Sequence, residues 1–181
     1  MDNLTKELEQ ELKMAREAEN LTDGYKKTIV VGCDHAGFEL KEHIKNFLRS
    51  KGYQVEDEGA FKYDETDDYP KVCRIVAKRI AGGGGAYCGL LFGGSGQGEA
   101  MTANRVLGAR ATVFYGGNQD ILKLSREHND ANILSLGARF LTEAEAEAAV
   151  LLWLETSFSN EERHSRRVKK IDGLITEENI F

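Results

Sequence analysis

The stretch YCGLLFGGSGQGE, Tyr87 to Glu99, changes character half-way along. Its first half is apolar, as a strand buried on both faces requires. Its second half holds Gly93, Gly94, Ser95, Gly96 and Gly98, so it carries almost no side chains, and it closes on the carboxylate of Glu99. Glycine loops between a strand and a helix usually hold anions. A negative charge at the end of such a loop therefore calls for a reason.

Working outward, the neighbouring segments alternate between two patterns. TIVVGC, from Thr28, is a β-branched run, and FELKEHIKNFLRSKG has helical spacing through Leu40, Ile44, Phe47 and Leu48, with Gly52 as its stop. YQVEDEG reads as a second strand. A helix follows DYP, with Val72, Ile75, Val76 and Ile80 on one stripe. After the glycine loop come the strand ARATVFY, the helix NQDILKLSREH and the strand NILSLG. The helix TEAEAEAAVLLWLET starts at Thr142 with Glu145 three residues on, a capping box, and a last basic helix holds Arg163 to Lys170. Strands alternating with helices predict a Rossmann-like three-layer α/β/α domain around a parallel sheet of about five strands. Ligands bind such sheets beyond the carboxyl ends of the strands, where CDHAG, GGSGQGE and YGGN all fall.

The domain occupies 26–172. Residues 1–25 form an acidic extension with seven acids and three bases, in which Leu4, Leu8 and Leu12 sit four apart on one helical stripe, and 173–181 form a C-terminal tail. The chain of 181 residues has a net charge of −6, which argues against a nucleic-acid partner. No stretch reads as a membrane span or a secretory leader, so the expected location is cytoplasmic. Cys33, Cys73 and Cys88 are odd in number and form no CxxC pair, so they read as buried free thiols rather than as metal ligands or disulfides.

The glycine loop fails as a dinucleotide cradle. Gly94 and Gly96 supply the first two glycines of G-x-G-x-x-G, but Glu99 stands in the third place, and the loop follows the third strand rather than the first. No P-loop lysine is present either. Backbone N–H groups at a helix N-terminus can instead stabilise an oxyanion formed during reaction, and an adjacent carboxylate can remove the proton whose loss creates it. Taken singly, Glu99 also reads as an acid complementing a helix dipole. Other polar residues collect at the loops. Asp34 and His35 end the first strand, where a helix N-cap is the plainer reading; His128 precedes the fifth strand and reads equally as a structural histidine. Arg163 and Arg167 lie four apart on one helical face, beside His164, as a phosphate clamp or a solvated basic face would. Arg139 follows SLG as a further cation at a strand end.

GCDHAGFELK, DYP, GGSGQGEAMTANR, LSREHNDANILSLGAR and ERHSRRV, in this order between about Thr28 and Ile171, resemble the ribose-5-phosphate isomerase B family, which also includes allose-6-phosphate and galactose-6-phosphate isomerases. Many members carry a cysteine base just before a GTGIG-like loop. That position here is Gly93, and Cys88 lies too early to replace it. The chain resembles instead the branch with GGSGxGE, in which the glutamate is the base. The resemblance implies an aldose–ketose isomerase of carbohydrate metabolism, in the pentose phosphate pathway, converting ribose 5-phosphate to ribulose 5-phosphate without a cofactor or metal.

By position, Glu99 is then the base. Asp34 contacts the sugar ring oxygen or a nearby hydroxyl, and His128 assists ring opening. His35, Arg139, Arg163 and Arg167 hold the phosphate. Ser95 and the N–H groups of Gly94, Gly96 and Gly98 cradle the enediolate. Tyr69 lines the sugar pocket or simply packs, and Asn129 contacts substrate. The resemblance also implies a homodimer or dimer of dimers with shared sites, His128 and the arginines coming from different chains. Two features depart from the family pattern: the N-terminal extension, and a slightly long YGGNQDILK segment that could alter the preferred sugar length. A six-carbon sugar phosphate as substrate, and a non-catalytic sugar-phosphate binding protein, remain as alternative readings.

Overall fold

Five strands form one all-parallel sheet. A computed structural model describes residues 27–173. The acidic extension 1–25 and all but the first residue of the expected tail lie outside the described residues. The strands are β1 (Thr28–Cys33), β2 (Val55–Asp57), β3 (Tyr87–Gly93), β4 (Ala111–Phe114) and β5 (Ile133–Gly137), and they lie in the order β2-β1-β3-β5-β4. The helices are α1 (Phe38–Ser50), α2 (Tyr69–Gly82), α3 (Gln97–Ala103), α4 (Asp120–Glu127), α5 (Glu143–Glu155) and α6 (Glu162–Asp172). This is the Rossmann-like three-layer α/β architecture that the alternating pattern predicts.

Strand side chains divide between two layers, because successive residues face opposite ways. Ile29, Val31, Leu90, Phe92, Leu134 and Leu136 pack with Ile44 and Leu48 of α1, Leu122 of α4 and Val150 and Trp153 of α5. Val30, Leu91 and Ile133 pack on the other side with Val76 and Ile80 of α2 and Ala103 of α3. The order of the last two strands follows from composition. ILSLG is buried throughout and takes the inner place, whereas ATVF is only part-buried and forms the edge. Thr142 caps α5, with its hydroxyl accepting from the Glu145 N–H and the Glu145 carboxylate accepting from the Thr142 N–H.

Two expectations need correction. The buried stripe of α2 runs through Cys73, Val76, Ala77 and Ile80, and Ile75 is exposed. Two residues beyond Cys73, it lies about 200° round the helix. Of YQVEDEG, only Val55–Asp57 pairs as strand, along the edge of the sheet. Lys41 then ties α1 to the loop after β2. Its ammonium is fully buried, and it donates to both Asp57 carboxylate oxygens at 2.9 Å and to the Ala60 carbonyl at 2.7 Å. No described helix is long and apolar enough to cross a membrane.

The connections leaving β1 and β3 run in opposite directions: β1 leads to β2 on one side, and β3 leads towards β4 on the other. The crevice between their carboxyl ends is the topological switch point of the sheet, the usual ligand position in this architecture. Gly37, after β1, presses so closely on β3 that a Cβ there would fall 2.3 Å from the Phe92 carbonyl oxygen. Gly82, in the last turn of α2, has open space around it. In urea denaturation, Gly37→Ala is therefore expected to cost about 3 kcal/mol or more through overpacking. Gly82→Ala is expected to leave stability unchanged or raise it by up to about 1 kcal/mol.

Candidate active site

Asp34 and His35 leave the end of β1. Asp34 is extended and buried, and its carboxylate accepts from the Gly37 N–H at 2.9 Å, capping a short 3-10 turn over His35–Gly37. His35 Nδ1 lies 2.8 Å from an Asp67 carboxylate oxygen. That hydrogen bond, more than any other influence, raises the His35 pKa above its ordinary value.

The glycine loop begins where β3 ends, and three side chains close over it. At Gly93 the place of a side chain is filled by the Glu99 carboxylate: a Cβ built there would lie 2.0 Å from Glu99 Oε1. Glu99 stands in the first turn of α3 and is only 3% exposed, so its carboxylate turns inward to the switch point rather than out to solvent. Arg139 follows β5, and its guanidinium lies beside Gly94, 3.5 Å from where a Cβ would be. The Arg139 N–H donates to the Gly94 carbonyl at 3.1 Å, so the segment after β5 runs alongside the loop. Tyr69 covers Gly98, its ring carbon and hydroxyl 2.7 Å from the place of a Cβ. Gly96 has φ 76°, the left-handed conformation that starts α3, and its carbonyl accepts from the buried Ser135 hydroxyl at 2.6 Å. Ser95 is half-buried within the loop, with its hydroxyl 3.4 Å from the Gln97 N–H.

Electrostatics set Glu99 apart from an ordinary surface acid. Burial raises its pKa, a hydrogen bond from its own backbone N–H lowers it, and the charges of Asp34 and Asp67 raise it further. The net direction is upward, towards a stronger base.

His128, Asn129, Arg163 and Arg167 lie elsewhere. His128 ends α4, shortly before β5 begins, at the amino edge of the sheet. Its ring packs on His164 at 4.2 Å between centroids. Asn129 is the exposed residue that follows. Arg163 and Arg167 belong to α6 at the same edge, and both bear on His164, whose pKa falls through burial and through the positive field of its neighbours, His128 first. The amino edge of β5 is separated from its carboxyl edge by about 16 Å of strand. One chain thus brings Asp34, His35, Tyr69, Gly94–Gly98, Glu99 and Arg139 together. It sets His128, Asn129, Arg163 and Arg167 apart as a second group. Sharing of His128 and the arginines between chains is the expectation; within this chain Arg163 and Arg167 lie at the edge of His128, and Arg139 lies at the other, after β5.

Two contributors carried little sequence signal. Asp67 lies in the acidic run DETDDYP, which reads as solvated surface. Ser135, buried in β5, looks like an ordinary strand residue until its bond to Gly96 is seen. Among the described residues, no group of three or more His, Cys, Asp or Glu could hold a metal ion.

A family profile described as Ribose/Galactose Isomerase matches residues 29–171. The chain belongs to that family. It is 41% identical over 140 residues to ribose-5-phosphate isomerase B of Mycobacterium leprae, covering 77% of this chain and 85% of the relative. To the Escherichia coli K12 protein of the same name it is 37% identical over 148 residues, covering 82% and 96%. The crystal structure of ribose-5-phosphate isomerase B from Mycoplasma genitalium with bound ribulose 5-phosphate superposes with a TM-score of 0.76 at 34% identity, covering 80% of this chain and 93% of that one.

In this family member the thiols are placed for packing. Cys33, Cys73 and Cys88 are all buried, and burial raises each pKa, that of Cys33 to about 12 and that of Cys88 to about 11. Thiolate is the reactive form, so an aromatic disulfide reagent is expected to label none of the three in the folded protein and all three in denaturant.

Proposed function

We propose that this chain interconverts ribose 5-phosphate and ribulose 5-phosphate, with Glu99 as the base. The observation that carries the assignment is the inward carboxylate over Gly93 at the switch point, in a family whose similar members are named for this reaction. Once the sugar ring is open, Glu99 removes the C2 hydrogen as a proton. The C2–H electron pair forms the C1–C2 double bond, and the aldehyde π electrons pass to O1, giving a cis-enediolate. The O2 proton passes to O1 while Glu99 returns its proton to C1, and the C2 carbonyl of the ketose results. Ser95 and the loop N–H groups stabilise the oxygen charge, since the first N–H groups of a helix have no intrahelical acceptor. Asp34, beside Glu99, contacts the sugar oxygens, and Tyr69 walls the pocket over Gly98.

The second group, at the amino edge, completes the site in a homodimer or a dimer of dimers. There His128 of one copy assists ring opening, with Asn129 beside it. Arg163 and Arg167 of that copy face the phosphate together with His35 and Arg139 of the other. Two separated half-sites on each chain support this division, because a single copy holds them on opposite edges of the sheet. Three buried free thiols suit a reducing cytoplasmic setting.

Glu99→Gln is expected to lower kcat on ribose 5-phosphate by about 10²–10⁴ with KM changed only a few-fold. Near-normal turnover would remove the base assignment, and faster turnover of allose 6-phosphate by the wild type would assign the six-carbon substrate. Co-expressing Glu99→Gln with His128→Ala chains is expected to restore about a quarter of wild-type activity, because half of the randomly paired dimers would hold one intact site. No recovery would place each site within one chain.

A further inference from the structure

We propose that Asp67 is a positioning residue that keeps His35 doubly protonated and leaves its Nε2–H free to donate to the phosphate of the substrate. The inference rests on the reading of His35 as a phosphate ligand given above. With Nδ1 bonded to the Asp67 carboxylate at 2.8 Å, the Nδ1 proton is fixed in place. A neutral ring held in this way would present a lone pair at Nε2, which repels a phosphate oxygen; only the imidazolium offers N–H donors at both nitrogens. Asp67 therefore decides whether the outer nitrogen attracts or repels the ligand.

The surrounding structure holds Asp67 in that position. Its N–H donates to the Asp64 carbonyl at 3.1 Å, and the Asp64 carboxylate accepts from the Thr66 N–H at 3.0 Å and from the Thr66 hydroxyl at 2.7 Å. The tied turn carries Tyr63, whose ring meets His35 edge-on at 6.2 Å and Phe38 at 6.5 Å. His35 is fixed from the other side by the 3-10 turn that Asp34 caps. The side chains of His35 and Asp67 are 26% and 19% exposed, so solvent screens the pair less than it does a fully exposed ion pair. The charged groups acting on the ring are Asp67, Asp34 and Asp64, which favour the imidazolium, and Arg139, which opposes it. The hydrogen bond to Asp67 leads, and the net direction is upward. The positive charge thus persists to higher pH than on an unpaired histidine, and it is lost as pH rises through the raised value.

Asp67→Asn retains the side-chain size and can still hold the ring through its amide, so it isolates the effect of the charge. Steady-state kinetics on ribose 5-phosphate for wild type, Asp67→Asn and Asp67→Glu, from pH 6 to 8, test the proposal alongside NMR titration of His35. The KM ratio of Asp67→Asn to wild type should be smallest near pH 6 and should grow to roughly tenfold by pH 8, with kcat changed less than about threefold. Asp67→Glu should restore most of the loss, and the His35 titration should move down in Asp67→Asn. A KM ratio independent of pH, a loss confined to kcat, or an unmoved His35 titration would each overturn the role. The titration needs no turnover, so it stands apart from the Glu99→Gln assay; failure of the base assignment there would leave this result readable.

Discussion

Glu99 reaches the end of β3 only because residue 93 has no side chain. The carboxylate lies in the volume that any Cβ would claim, so the glycine and the glutamate form one structural unit separated by a single loop. A charge placed there loses its water, and no cation stands among the groups that act on it most strongly. Its own backbone N–H offsets part of the cost, and two neighbouring carboxylates add to it. The result is a carboxylate that is easier to protonate than a solvated one and still close to helix N–H groups. Those two properties suit a group that must accept a proton from carbon and then return it.

The sheet explains why the rest of the site is divided. Parallel strands send every strand-to-helix loop to one edge and every helix-to-strand loop to the other. Asp34, the glycine loop and Arg139 follow strands, so they gather at the switch point. His128 follows a helix and cannot join them within the same copy. The packing of His128 on His164 carries α6, with Arg163 and Arg167, to that second edge. The same connectivity that builds each half also keeps the halves apart within one copy, which is the reason for the proposal that two copies share each site.

Much of this was legible in the residues. TIVVGC, YCGLLFGG and NILSLG have the continuous apolar character of strands covered on both faces, and Thr142 with Glu145 marks a helix start that the structure reproduces. The inner position of β5 was less accessible, because strand order depends on comparing burial between segments and not on periodicity within either. Ile75 misled because an apolar residue on a helix fits a stripe loosely until the true face, through Cys73 and Ala77, is known. At the site, the chemistry of Glu99 was suggested by its place after the loop, but its burial depends on the empty side of Gly93, a contact no pattern encodes. Asp67 was hidden for a related reason: an acid among acids looks solvated, and only the approach of the β1 loop reveals that it faces His35.

The central claim is that the Glu99 carboxylate touches the carbon that loses its proton. The most direct measurement is covalent labelling with a 1,2-epoxide analogue of open-chain pentose 5-phosphate, followed by peptide mass spectrometry. A carboxylate oxygen positioned at C1 and C2 would open the epoxide and form an ester. One label per active site is expected, on Glu99, suppressed by excess ribose 5-phosphate. Inactivation with the label on Asp34 or any other residue would contradict it.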